Sequence, residues 1–312
     1  MHIIVTSISS KVPLLKAVKT AVSASRPEAQ VYGADTNDKC IGQYFVDHFW
    51  PCPMLNQLYI DDFITYCTAR QITVVIPTRD GELLYFARHK KLLAESGISV
   101  MVSDEAAVHL CLDKLTFSEQ LARFKYPVIP SYRICPEGLS SYVVKERFGA
   151  GSEAIGVHLN EEQAKAHALQ LKQPIFQPYI TGSEYSVDVY VSRDGIAKGA
   201  IVRSRELVLH GESQITTTIR MPHVEKLMMQ IAENYSFKGH IIFQILLDDS
   251  GQVHIIECNC RIGGASTLSF AVGLKSVYWF LQESAGVAPE QLVFMRSAEE
   301  KKLIRHAEDM VL

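Results

Sequence analysis

His254-Ile255-Ile256-Glu257-Cys258-Asn259-Cys260-Arg261-Ile262-Gly263-Gly264 is the stretch on which the reading of this chain turns. Side chains alternate faces along a strand, so Glu257, Asn259 and Arg261 project to one side and Ile256, Cys258 and Cys260 to the other. A carboxylate and an amide oxygen are hard ligands of the kind Mg²⁺ accepts, and a guanidinium suits phosphate or carboxylate oxygens. The two glycines let backbone approach a ligand closely. A strand end with a merely solvated polar face would read the same way from this segment alone, so the surrounding sequence must decide.

The segment closes a hairpin. Residues 240–247 and 252–258 read as strands around the turn Asp248-Asp249-Ser250-Gly251. Gln244 interrupts the apolar run 241–247. Burying an amide without a partner costs about 1–3 kcal/mol, so Gln244 needs one, and its antiparallel neighbour is the strand carrying Glu257. Further upstream, residues 141–145, 174–178, 184–191 and 196–204 are short, β-branched and bounded by Gly, Pro or Asp, the pattern of antiparallel strands. Asn160, followed by Glu161 and Glu162, caps a helix that runs to about Leu171.

Three places in this region can meet a nucleotide. Lys145 ends a strand and precedes Gly149-Ala150-Gly151-Ser152, which offers an ammonium and backbone N–H groups to phosphate oxygens. It is no Walker A loop, where the lysine follows the glycines and leads into a helix; a flexible hairpin is the alternative. Gln177-Pro178-Tyr179-Ile180 is extended and can present one N–H and one C=O to an adenine edge, with Glu184 accepting from ribose hydroxyls; an ordinary connection with a surface glutamate fits equally. Arg203 and Arg205, at alternating positions, place two guanidiniums on one strand face, either to hold a carboxylate or phosphate or as a solvated strand edge.

The first third is different. Strand-like runs at 2–6, 30–33, 73–76 and 98–102 alternate with helix-like stretches at 12–23, 56–69 and 82–95, which predicts parallel βαβ units with helices on both faces. Ser7-Ile8-Ser9-Ser10-Lys11 follows the first strand where GxGxxG would stand, so this half does not read as an NAD site. Asp113-Lys114 opens another helix, and the prolines at 127 and 130 lead into the antiparallel region.

Composition excludes several classes. The 312 residues carry 47% hydrophobic residues and no apolar run near the ~20 residues a membrane helix requires. Seven scattered cysteines without paired CxxC spacing read as reduced thiols, and Cys258 and Cys260 as packing. A net charge of −3 offers no basic field to nucleic acid. The N-terminus lacks a secretory pattern, and the cytoplasm is the expected compartment.

Taken in order, Asp113-Lys114, Tyr142-Val143-Val144-Lys145 with its glycine loop, Phe176-Gln177-Pro178-Tyr179-Ile180, Gly182-Ser183-Glu184, Phe243-Gln244 and Glu257-Cys258-Asn259-Cys260-Arg261 resemble the ATP-grasp superfamily, in its carbamoyl-phosphate-synthase-large-subunit-like branch. The resemblance implies an α/β chain: an N-terminal Rossmann-like open parallel-sheet domain (1–112), an ATP-grasp domain (113–290) with a lid at about 140–180 and an antiparallel C-terminal sheet, and a final segment (291–312) packing on it.

It implies ATP as cofactor, with Lys114 and Lys145 on its phosphates, Gly149, Gly151 and Ser152 closing over them, and Gln177, Tyr179 and Ile180 on the adenine. Glu184 takes the ribose, while Gln244, Glu257 and Asn259 hold two Mg²⁺ or Mn²⁺ ions. Arg261, with Arg203 and Arg205, faces the reaction centre. Cys260 stands where the family has proline, and Gln244 where it has a carboxylate.

The implied activity is a carboxylate–amine or carboxylate–thiol ligase that forms an acyl phosphate and releases ADP and phosphate, acting on small-molecule substrates, with a homodimer left open. Carbamoyl-phosphate-synthase-like activation of bicarbonate or carbamate, and a regulatory module without turnover, are the alternatives.

Overall fold

A computed structural model describes residues 1–149 and 154–311. His2–Thr6, Val31–Asp35, His48–Pro51, Ile72–Ile76 and Ser99–Val100 form one parallel sheet. Numbering these strands in chain order, they lie side by side as third, second, first, fourth and fifth. Their apolar runs are buried on both faces, as a parallel sheet requires. Ile3 and Val5 pack with Leu14, Leu15 and Val18 of the helix Val12–Ser25, while Ile4 and Val75 pack with Phe63 of Ile60–Ala69 and Phe86 of Asp80–Glu95. The two sets of helices cover opposite faces, so the strand order reverses between His2–Thr6 and Ile72–Ile76. A crevice opens at the carboxyl ends of those two strands.

A second sheet is antiparallel. In spatial order it runs Leu207–Leu209, Glu212–Ile219, Ala197–Ser204, Ser183–Val191, Gly239–Leu247 and Val253–Asn259. The helix Pro222–Asn234 lies on it, burying Val224, Met228, Ile231 and Ala232 at helical spacing. Near the chain's end, Lys302–Ile304 pairs with Glu212–Ile219, setting Ile304 opposite Ile215. A third, three-stranded sheet places Tyr142–Glu146 between Gly156–Leu159 and Pro174–Pro178, backed by Glu161–Ala168. There Asn160 caps the helix, accepting from the Gln163 N–H at 2.9 Å.

Some elements depart from the sequence expectation. The strand His48–Pro51 and the pair Leu207–Leu209 and Glu212–Ile219 have no counterpart in it. Glu212–Ile219 buries Ser213, Thr216 and Thr218, so its inward face is made of hydroxyls and carries no apolar alternation. The helix expected from residue 56 begins at Ile60, after an irregular run.

Candidate functional site

A cavity of about 1040 Å³ lies where the three sheets meet. Its floor is the opening hairpin. Gln244 stands directly opposite Glu257 and Ile242 opposite Asn259, so the amide predicted to need a partner faces the carboxylate across the ladder. The register shifts between Gln244 and Ile245, which leaves Ile256 without a partner residue. This bulge corrects strict alternation: Ile256 joins Glu257 in lining the cavity, and Ile255, fully buried, takes the core position. Cys258 and Cys260 are buried as expected, and Cys260 Sγ lies 3.1 Å from Cys111 Sγ of the helix Glu105–Leu112.

Two lysines flank the carboxylate. Lys114 is the first residue of the helix Lys114–Arg123, whose cap Asp113 accepts from the Thr116 N–H and hydroxyl at 3.1 and 2.8 Å. Asp113 also accepts two hydrogen bonds from Arg147 at 2.7 and 2.5 Å. Burial opposes its charge, yet those donors bring its carboxyl down to about 2. Lys114 Nζ donates to the Gly149 carbonyl at 2.5 Å and lies 3.8 Å from Glu257. Lys145 is only 5% exposed. Burial lowers its pKa to about 8, Glu257 and Glu184 pulling against that fall and Lys114 adding to it.

Gln177, Tyr179, Ile180, Ile129, Val143 and Leu246 supply an apolar and amide-rich wall. Gln177 is fixed by donating from Nε2 to Ser131 at 2.8 Å. At Gly182 the chain passes so close to the next hairpin that a Cβ would sit 2.4 Å from the Leu247 carbonyl oxygen, so only glycine fits. Glu184 also lines the cavity, and Arg205 Nε approaches its carboxylate to 2.8 Å. Gly151 and Ser152 lie outside the described residues.

Arg203 and Arg205 both reach the cavity but sit differently. Arg203 is 2% exposed and donates from Nε to Asp188 at 2.5 Å. Asp188, fully buried, also accepts from Ser266 and Ser269 at 2.6 Å each and contacts His240 Nε2 at 3.0 Å. Burial works against its charge, but Arg203 and His240 hold the carboxyl far below the usual range. Arg203 Nη1 has no partner among the described residues. Arg203 is thus a strut beneath the site with one free amino group, whereas Arg205 is gripped at the rim by Glu184 and the Gly211 carbonyl.

Arg261 makes a paired contact with Asp80, 2.8 Å from Nε and 2.7 Å from Nη2, and so ties the antiparallel sheet to the parallel one. Lys11, Arg79 and Asp80 also line the cavity. Sequence reasoning missed them. They follow the first and fourth strands at the crevice where the sheet order reverses, a position visible only once strand order is known.

The donor set suits a hard cation. Among the described residues no group of three or more His, Cys, Asp and Glu side chains is arranged to hold a metal. Glu257, Asn259 and Gln244 offer one carboxylate and two amides, a set that fits Mg²⁺ when ligand oxygens and water complete its shell. Eight lysines and arginines against five acids line the cavity in a chain of net charge −3, so its wall is net positive while the chain is net negative.

Two family models match the chain: "PylC-like, N-terminal domain" over residues 3–101 and "ATP-grasp in the biosynthetic pathway with Ter operon" over residues 170–305. A search of curated proteins finds no match. Among solved structures, the biotin carboxylase domain of Hydrogenobacter thermophilus 2-oxoglutarate carboxylase, in complex with MgADP, ADP and bicarbonate, superposes with a TM-score of 0.76 at 15% identity, over 96% of this chain and 73% of that one. Campylobacter jejuni biotin carboxylase gives 0.76 at 14% identity, over 96% and 74%. Staphylococcus aureus N5-carboxyaminoimidazole synthetase gives 0.68 at 17%, over 92% and 77%. Residues 170–305 thus match an ATP-grasp family model, and the chain as a whole has the ATP-grasp fold.

Proposed function

We propose that this protein is an ATP-dependent ligase that activates a carboxylate as an acyl phosphate and passes it to an amine, releasing ADP and phosphate. The observation that carries this reading is the meeting of Lys114, Lys145, Gln244, Glu257 and Asn259 on one cavity lined by all three sheets.

In this reading Lys145 and Lys114 hold phosphate oxygens, and Gln177, Tyr179 and Ile180 hold the adenine, with Glu184 on the ribose. Glu257, Asn259 and Gln244 would hold Mg²⁺, which when bound neutralises phosphoryl charge. Lys145 must carry its proton to do this work. Phosphate arriving beside a buried ammonium restores a raised pKa and draws the proton in. Arg261, oriented by Asp80, faces the site of transfer, and Arg203 contributes its unpartnered Nη1 from below. No nucleophile or base is needed from the protein, whose part is positioning and charge.

Bicarbonate as the activated carboxylate is a second reading. It is supported by the bicarbonate bound in the Hydrogenobacter neighbour. Phosphate release from ATP, measured with bicarbonate, with other carboxylates and with amines, separates the two. Glu257→Gln should abolish Mg²⁺-dependent release while the unfolding temperature holds. Nucleotide binding without turnover on every pair would favour a regulatory module, and a Glu257→Gln protein of full activity would remove the metal assignment.

A further inference from the structure

Around Arg261 and Asp80 the cavity forms a lobe of charged side chains whose charges do not balance. Arg261 is matched by Asp80, Arg205 by Glu184, and Arg305, behind Gly264, by Glu212 at 2.6 Å. Lys11 and Arg79 are left over. Among the described residues Lys11 Nζ has neither hydrogen bond nor ion pair, and Arg79 has one weak contact, from Nε to the Ser7 hydroxyl at 3.4 Å.

The loops that carry these two cations are locked together. Glu82, 2% exposed, accepts from the Ser7 hydroxyl at 2.8 Å and from the backbone N–H groups of Thr78 and Arg79 at 2.6 and 3.0 Å. Thr78 donates its hydroxyl to the Thr6 carbonyl at 2.7 Å, and the Ser9 N–H donates to Asp35 at 2.7 Å. Lys11 and Arg79 therefore stand on a rigid platform at the reversal of strand order, each at the start of a helix, of 14 and 16 residues. Burial, and after it the Arg261 charge, lowers the Lys11 pKa against the pull of Glu212 and Asp80.

We infer that this lobe binds a co-substrate bearing a second anionic group, a dicarboxylate or a carboxylate with another acid, which Lys11 and Arg79 hold while the reacting carboxylate faces Arg261. The inference rests on the ligase reading and adds the substrate class. A fixed, half-buried ammonium without a counter-ion is costly, and a ligand carboxylate relieves that cost, whereas a neutral tail would leave it in place.

The probes are the straight-chain dicarboxylates from malonate to adipate and their monoamides, titrated calorimetrically into the protein with MgADP present. At least one dicarboxylate should bind roughly tenfold more tightly than its monoamide. In Lys11→Met and in Arg79→Met that preference should shrink to about threefold or less. Lys11→Arg should keep it, and MgADP affinity should hold in every variant. Equal binding of acid and amide, no binding of either, or an unchanged preference in both Met variants overturns the inference. If MgADP itself does not bind the unaltered protein, the nucleotide reading fails instead. Arg79 is exposed, so its variant keeps the test open should Lys11→Met fold poorly.

Discussion

Lys145→Met should make the protein more stable while removing a group proposed to bind phosphate. The ammonium is 5% exposed and burial lowers its pKa from 10.5 to about 8. That fall corresponds to about 3 kcal/mol against the charged folded state. Its pH dependence follows in sign: the unfolded chain holds this proton more tightly, so wild-type stability rises between pH 8 and 10.5 and is reduced by the full amount below that window. Methionine keeps the stem's volume and carries no charge. The variant's advantage should therefore approach ~3 kcal/mol near pH 7 and shrink by about 1.4 kcal/mol by about pH 9, as the wild-type lysine loses its proton. Urea unfolding of both proteins at each pH measures the gap, and other titrating groups common to both cancel. A variant less stable than wild type at neutral pH, or a gap that ignores pH, would refute the reasoning, because burial of an uncompensated charge would then not be what lowers the lysine.

Three other outcomes follow from the buried charges. Asp188→Ala strips Arg203, His240, Ser266 and Ser269 of their shared acceptor and should cost about 3–5 kcal/mol in urea unfolding; a loss under about 1 kcal/mol would deny the network its structural role. Burial raises Glu283 to about 7, with the Arg193 N–H and Tyr190 pulling it back, so the stability it lends below 4.5 is lost as pH rises through 7. Glu283→Gln should then gain in unfolding temperature over wild type above neutrality and show no such gain in mild acid. Asp80→Asn frees Arg261 from its paired contact and should lower turnover by about a hundredfold with nucleotide affinity kept, provided Arg261 acts at the transfer step; parallel loss of both would show the pair to be mere domain adhesive.

The sequence made the hairpin of 240–258 and its partner relation legible, because Gln244 is a polar residue in an apolar run and has few places to go. It misplaced Ile256, since a bulge of one residue leaves no trace in composition yet turns a side chain to the other face. The strand Glu212–Ile219 escaped because its buried positions are Ser and Thr. Lys11, Arg79 and Asp80 escaped for a different reason. Each belongs to a short strand-to-helix loop of ordinary composition, and only the lateral order of the parallel strands brings the loops after residues 6 and 76 to one crevice. Cys111 meets Cys260 across 149 positions for the same kind of reason.

The ion pairs around the cavity have a common form: in each, a cation that would serve a ligand is held by an acid that would leave it. Lys114 rests 3.8 Å from Glu257, Arg205 against Glu184 and Arg261 against Asp80. A pair at about 4 Å is worth ~4 kcal/mol at an effective dielectric of 20, before the cost of removing both partners from water. These pairs hold the cations in place, so under the proposed function an incoming phosphate or carboxylate would exchange one anion for another instead of meeting a bare charge. Glu257 gains most from such an exchange, because a carboxylate released by Lys114 is free for a metal. Lys145, like Lys11, forms no ion pair with a described residue, and burial lowers its pKa against the pull of Glu257 and Glu184. Under the proposed function a nucleotide phosphate would supply the anion that this buried ammonium lacks, and the three sheets that bury Lys145 would thereby set where the phosphate end of the nucleotide lies.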